Sequence, residues 1–326
     1  MTIFRRNIVI GLVLVLALVA TACGDDDDGS SATTTDAPLG TTTTTEAATT
    51  TAAPDTTEAP TTTEATTTTV VTFDLTAAVY EYTSTIPEGY MAVGDTTAFK
   101  DAVEASNAVL IDVRETSEYE EGHIEGAVNI PLRTVAENLD KIPADSQVFV
   151  YCKSGWRAGL ATSSLRMLGY DNVLAYPPGW NGWTEAGEPV STEAATGETY
   201  EIPEIAPELR TAVNDFLTTL PEGWLSAGDT EKVAAAIEAG SAVLDVRTPP
   251  EYAEGFIPTA VNTPLREIPT FVDVIPTDTQ VIEYCKSGWR ASLAVPIYHV
   301  LGFDNVLGYS GSYLAWTDAG EPIETP

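Results

Sequence analysis

The sequence predicts an α/β protein built from two copies of one domain, each a mainly parallel sheet with helices on both faces. Three observations carry this expectation. A long internal repeat sets the number of domains. Short β-branched apolar runs alternate with helical patterns inside each repeat. Past a short apolar leader, the amino-terminal stretch that remains is too polar to build a core.

That stretch is read first. Residues 1–22 open with Arg5 and Arg6, continue through an apolar run from Ile8 to Ala20, and end in small residues before Cys23. The run is too short to span a bilayer comfortably and has the layout of a secretory signal peptide. Val19-Ala20-Thr21-Ala22-Cys23 resembles the lipobox of bacterial lipoproteins, with Ala20 where leucine is usual, so Cys23 is the expected lipidation site. Ala20-Thr21-Ala22 also reads as an ordinary cleavage site, which would leave a secreted protein. Residues 23–72 hold an Asp run and then Thr, Ala, Pro and Glu, the composition of an extended stalk. The expected location is therefore outside the cytoplasm, anchored to the cell membrane through lipid. The chain has 48 acidic against 15 basic residues and a formal charge of −33, which argues against a nucleic-acid partner.

The repeat divides the rest into domains at 73–194 and 195–326. Ile86-Pro87-Glu88-Gly89-Tyr90 answers to Leu220-Pro221-Glu222-Gly223-Trp224, and Ile111-Asp112-Val113-Arg114 to Leu244-Asp245-Val246-Arg247. Tyr151-Cys152-Lys153-Ser154-Gly155-Trp156-Arg157 returns as Tyr284-Cys285-Lys286-Ser287-Gly288-Trp289-Arg290. Each unit is long enough to bury its own core. Within the first unit, Ala108–Val113 and Val148–Tyr151 read as buried strands. Thr96–Ala105, Arg133–Asp140 and Ala158–Leu168 read as helices, the last closed by Gly169.

Cys-Lys-Ser-Gly-Trp-Arg therefore lies between a buried strand and the start of a helix, where ligands of parallel sheets bind. Gly155 lets the backbone curl so that successive N–H groups point to one centre, and the helix start adds its positive end. Lys153 and Arg157 add positive charge. All of these favour an anion, which suits a nucleophilic thiolate at Cys152. The same holds for Cys285 with Lys286, Gly288 and Arg290. A buried structural cysteine is the bland alternative. A disulfide between Cys152 and Cys285 would need the two loops face to face and is not expected.

Asp112-Val113-Arg114-Glu115 with Glu118-Tyr119, then Gly122-His123-Ile124, Gly126-Ala127-Val128-Asn129-Ile130-Pro131, the Cys-x-x-x-x-Arg loop and Gly179-Trp180 with Ala186-Gly187-Glu188-Pro189 resemble the rhodanese (sulfurtransferase) domain. The match covers roughly residues 86–190 and, more loosely, 220–323. The resemblance implies two rhodanese-like domains, each with a five-stranded mainly parallel sheet. It makes Cys152 and Cys285 persulfide carriers. It makes Lys153, Ser154, Gly155, Trp156 and Arg157, with Lys286, Ser287, Gly288, Trp289 and Arg290, the cradle for persulfide and donor. Sulfur would pass from a small anionic, thiosulfate-like donor to a thiol, cyanide or protein-thiol acceptor, with no cofactor and no metal. Four residues between Cys and Arg favour sulfur over the tetrahedral oxyanion that related phosphatase and arsenate reductase loops hold.

Asp112 and Arg114, like Asp245 and Arg247, are expected to support neighbouring loops through charge-assisted hydrogen bonds. His123 faces Phe256 in the repeat and is expected to be structural; His299 has no metal-ligand neighbours in the sequence. Trp156 and Trp289 would shape the donor pocket or offer an apolar surface to an acceptor. Glu283 interrupts an apolar strand, and Pro296 falls inside a helix, which should kink or start late. Two rival readings stay open: a non-catalytic binding or sulfur-sensing module, and a thiol redox protein using both cysteines.

Overall fold

The computed structural model describes residues 73–326; the signal segment, Cys23 and the stalk lie outside the described residues. The first domain runs α1 (Leu75–Thr85), α2 (Thr96–Ser106), β1 (Val109–Asp112), α3 (Thr116–Glu121), β2 (His123–Ile124), β3 (Val128–Asn129), β4 (Val148–Tyr151), α4 (Trp156–Met167), β5 (Val173–Ala175), α5 (Gly179–Glu185) and β6 (Val190–Ser191). The second repeats the plan with α6 (Pro207–Thr218), α7 (Thr230–Glu238), β7 (Ala242–Asp245), α8 (Pro249–Ala253), β8 (Val261–Asn262), β9 (Val281–Tyr284), α9 (Trp289–Val300), β10 (Val306–Gly308) and α10 (Ser312–Asp318).

The two four-stranded sheets are parallel, ordered β3-β1-β4-β5 and β8-β7-β9-β10, and β2 pairs antiparallel with β6 apart from them. The fifth position of each four-stranded sheet is a single bridge, Ala92 beside Ala175 and Ser226 beside Gly308. The central strands β4 and β9 are buried throughout, which is why their sequences lack the alternation of a half-exposed strand. Asp74, Asp95 and Asp229 cap α1, α2 and α7 by accepting from backbone N–H groups of the first turn.

Two expectations about helices need correction. Residues 133–140 do not form an α-helix: Leu132–Glu137 and Leu139–Lys141 are two 3-10 turns, whose buried Leu132, Val135, Ala136 and Leu139 plug the core. α9 does not start late; it runs from Trp289 to Val300 with Pro296 inside. A proline removes one helical bond and crowds the preceding turn. Ser163 of α4, the repeat counterpart of Pro296, donates its hydroxyl to the Leu293 carbonyl at 2.8 Å, one residue past the Ser292 carbonyl that loses its helical bond to the proline.

The two domains share one core. α4 and α9 meet where a Cβ on Gly159 would run into Ser292, its own counterpart in the repeat. The leading helices cross over: α1 packs on residues 265–270 of the second domain, and α6 on residues 132–137 of the first. Arg266 donates to the carbonyls of Ile86 and Pro87 (2.7 and 2.8 Å), and Arg133 to those of Leu220 and Pro221 (3.0 and 3.3 Å). After these contacts the backbone turns sharply. Tyr90 and Met91 (φ 48° and 56°) and their counterparts Trp224 and Leu225 (57° and 58°) are left-handed. For non-glycine residues that costs on the order of 1–3 kcal/mol each, and the same cost recurs in both repeats.

Candidate active site

β4 ends at Tyr151, Cys152 follows with 1% of its surface exposed, and α4 begins at Trp156. The turn between is possible because Gly155 takes φ 95°, and a Cβ there would press within 2.7 Å of the Pro177 carbonyl. Gly288 does the same at φ 94° ahead of α9, and Cys285 is likewise 1% exposed. Gly288 N–H donates to Cys285 Sγ at 3.1 Å, so a backbone amide at a helix start faces the sulfur. Lys153, Ser154, Lys286 and Ser287 stand exposed on the loop rims. Both cysteines are free.

The loop arginines are not the free charges the sequence suggested. Arg157 holds Glu118 with two bonds of 2.5 and 2.8 Å, and Arg290 holds Glu251 with two of 2.6 and 2.7 Å. The pairing lowers both carboxyls below the usual range, Glu251 to about 2. Much of each guanidinium's charge is therefore met before it reaches the loop centre, and backbone amides and helix ends carry more of the anion preference than expected. Glu118 and Glu251 were missed as site residues, although the sequence signalled them: a Glu-Tyr pair recurs at one place in both repeats.

Asp112 and Arg114 are buried. Arg114 donates through Nε and Nη2 to the Asp112 carboxylate and through Nη2 to the Gly122 carbonyl at 2.7 Å. Asp245, Arg247 and Gly255 repeat the arrangement, and none of these bonds reaches a cysteine loop. Trp180 and Tyr313 lie against the two guanidinium groups, 4.6 and 4.2 Å from ring centre to Cζ. His123 is buried away from Cys152, stacked on Tyr119, its ring nitrogens 2.9 and 3.0 Å from the carbonyls of Tyr119 and Glu193. Phe256 stacks on Tyr252 in the same way, so the ring and not the imidazole is what the fold uses.

Trp156 and Trp289 are half-buried, and their indole N–H groups are committed. Trp156 donates to the Trp224 carbonyl and Trp289 to the Tyr90 carbonyl, each at 2.8 Å and each across to the other domain. Together with Ser154, Gly155, Ser287 and Gly288 they line one cavity of about 480 Å³, so the two loops open onto common space. In a chain with 48 acidic residues, none lines this cavity. Its walls offer backbone, hydroxyls and indoles.

One polar residue of the second domain breaks the likeness. Ser312 stands where the first domain has Gly179, keeps the same left-handed φ (54° against 58°), and accepts from Cys285 N–H at 3.0 Å. Its hydroxyl donates to the Tyr309 carbonyl at 2.7 Å and lies 3.7 Å from Cys285 Sγ. The aligned glycine hid it from a motif reading.

A buried cysteine stands at the carboxyl end of each parallel sheet, between a glycine turn and a helix start, in an α/β domain that occurs twice. The rhodanese-like domain family model matches residues 95–186 and 229–319, and the chain belongs to that family as a tandem of two such domains. A sulfurtransferase of Allochromatium vinosum is 39% identical over 84 residues, 26% of this chain and 78% of that one. A Mycobacterium tuberculosis protein provisionally named a thiosulfate sulfurtransferase aligns over 260 residues at 27% identity, covering 64% of this chain and 80% of its own. A Bacillus subtilis protein provisionally named a sulfur carrier is 33% identical over 105 residues, 32% of this chain, which spans only about half (54%) of that relative's length. The crystal structure of a 3-mercaptopyruvate sulfurtransferase from Escherichia coli is 20% identical with a TM-score of 0.36, covering 68% of this chain and 98% of that one.

Proposed function

We propose that the chain moves a sulfane sulfur from a small anionic donor such as thiosulfate to a thiol, cyanide or protein-thiol acceptor, through persulfides on Cys152 and Cys285. The supporting observation is the Gly288 amide pointing at Cys285 Sγ within a loop whose six residues are copied around Cys152. The thiolate attacks the sulfane sulfur, the Sγ–S bond forms, and sulfite leaves with the electron pair of the broken S–S bond. An acceptor nucleophile then takes the outer sulfur and restores the thiolate. The cavity's amides and lack of acids suit both the donor and the leaving anion.

Intact-mass measurement after incubation with thiosulfate tests this reading. Wild type is expected to gain up to two sulfurs, and Cys152→Ser and Cys285→Ser one each. No gain in any of them would sink the enzymatic reading in favour of a binding module. An internal disulfide in its place would point to thiol redox chemistry.

The signal-like start, Cys23 and the polar stalk support work outside the cytoplasm on a lipid anchor. Cells expressing the full chain should hold it in the membrane fraction, and Cys23→Ser should release it. Equal partitioning of the two would end the anchor proposal.

A further inference from the structure

The motif Ile-Pro-Glu-Gly-Tyr and its copy Leu-Pro-Glu-Gly-Trp had no part in the chemistry above, yet each lies against a cysteine loop. The loop is the other domain's. The Trp224 ring, from the second domain, lies 5.4 Å from Cζ of Arg157 and 4.0 Å from that of Arg133 in the first. Its carbonyl takes the indole N–H of Trp156. The Tyr90 ring, from the first domain, lies 5.1 Å from Cζ of Arg290 and 4.9 Å from that of Arg266 in the second, and its carbonyl takes the indole N–H of Trp289.

Each loop thus ends on a Trp-Arg pair whose orientation is set from two sides. Glu118 or Glu251, in the same domain, holds the guanidinium edge. The foreign aromatic ring covers its face, and the backbone carbonyl of the same residue accepts from the indole. Cation–π contact is directional, and its loss frees a guanidinium that is otherwise pinned. The left-handed backbone at Tyr90-Met91 and Trp224-Leu225 recurs at the two places where it delivers these contacts.

We infer that Tyr90 and Trp224 are positioning residues for the opposite domain's cysteine: Trp224 sets the Cys152 site and Tyr90 sets the Cys285 site. Neither sulfur site is complete within its own repeat. This rests on the sulfurtransfer reading for its rate, but the geometry can be read without it.

The test uses the full chain carrying one reactive cysteine at a time. In the Cys152→Ser background, Tyr90→Ala is expected to slow persulfide formation from thiosulfate on Cys285 about tenfold or more. In the Cys285→Ser background the same substitution should leave Cys152 within about twofold. Trp224→Ala should give the crossed result, slowing Cys152 and sparing Cys285. The backbone carbonyl survives every one of these substitutions, so Tyr90→Phe, which keeps the ring over Arg290, should restore the Cys285 rate. Alkylation by iodoacetamide supplies a readout independent of sulfur: Tyr90→Ala should alter labelling of Cys285 alone, and Trp224→Ala that of Cys152 alone.

Effects confined to each residue's own domain, equal effects on both cysteines, or no effect on either would overturn the inference. Absence of persulfide in the parent proteins together with a crossed alkylation pattern would overturn the proposed activity and leave the inference standing.

Discussion

Val150 in β4 pairs with Ala175 in β5; at the same register of the second domain Glu283 pairs with Gly308. The strands lead into identical six-residue loops, so the difference sits directly behind the second cysteine. Glu283 is fully buried, and neither carboxyl oxygen has a hydrogen-bond partner among the described residues. Burial, with the nearby Cys285 and Asp245 adding to it, pushes its acid group well above the ordinary 4.5. The missing side chain at Gly308 makes the room: a Cβ there would stand 2.6 Å from Glu283 Oε1 and 2.5 Å from the Trp156 ring. Two sites can share every loop residue and still rest on different floors, one apolar and one a buried carboxyl group.

The largest effect should come from forcing the floors to match. Gly308→Ala alone should destabilise the protein by about 1–3 kcal/mol through overpacking. Adding Glu283→Val, which installs the first domain's pair, should recover that loss and a further ~1–3 kcal/mol, the cost of an unpartnered buried polar group. Urea unfolding of the single and double variants would decide; a double variant no better than the single would absolve Glu283. The sign with pH is fixed too. Above about 4.5 the unfolded chain releases this proton while the folded one keeps it, so stability falls as pH rises, by about 1.4 kcal/mol per unit for one group. Glu283→Gln should flatten that slope.

A smaller contrast separates the two arginine clamps. Thr248 donates its hydroxyl to Glu251 at 2.8 Å, where the first domain offers Glu115, so Glu251 reaches about 2 with more help than Glu118 has. A carboxyl lowered by folding stabilises above its unfolded value, and that contribution fades between the ordinary 4.5 and about 2 as acid is added. Carboxyl carbon NMR titration should show Glu251 titrating below Glu118, and Thr248→Ala should move Glu251 upward. Coincident midpoints in wild type would remove the contrast.

The smallest expected effect concerns the helices behind the loops. Thr162 in α4 is buried with its hydroxyl unpartnered among the described residues, and α9 has Val295 at that place. Thr162→Val should be neutral or stabilising by up to about 1 kcal/mol in thermal unfolding. A clear loss would mean that the hydroxyl has a partner in solution.

Much of this was legible before any coordinates. The repeat gave two domains, β-branched runs gave β1 and β4 nearly to the residue, and Gly169 marked the end of α4, because these features are local. What lay hidden depends on distant segments meeting. Arg157 looks like a free cation in sequence because its partner Glu118 is on another element. Trp156 looks like a surface aromatic because its acceptor, the Trp224 carbonyl, belongs to the other repeat. Residues 133–140 carry helical spacing, yet the leading helix of the other domain packs there and the segment settles as 3-10 turns. Pro296 points to a kink or a late start because propensity counts only the helix's own bonds, not its packing against α4, and α9 still begins at Trp289.

The crossing of α1 and α6 has a consequence for what counts as one folding unit. The fold has the form of a two-fold dimer whose subunits traded their first helices, written on a single chain. Each half clasps the other, so a cut in residues 192–204 would leave two fragments interlocked rather than two free domains. The rhodanese-like cores can be recognised one at a time in sequence; in the folded molecule, each borrows part of its wall from its twin.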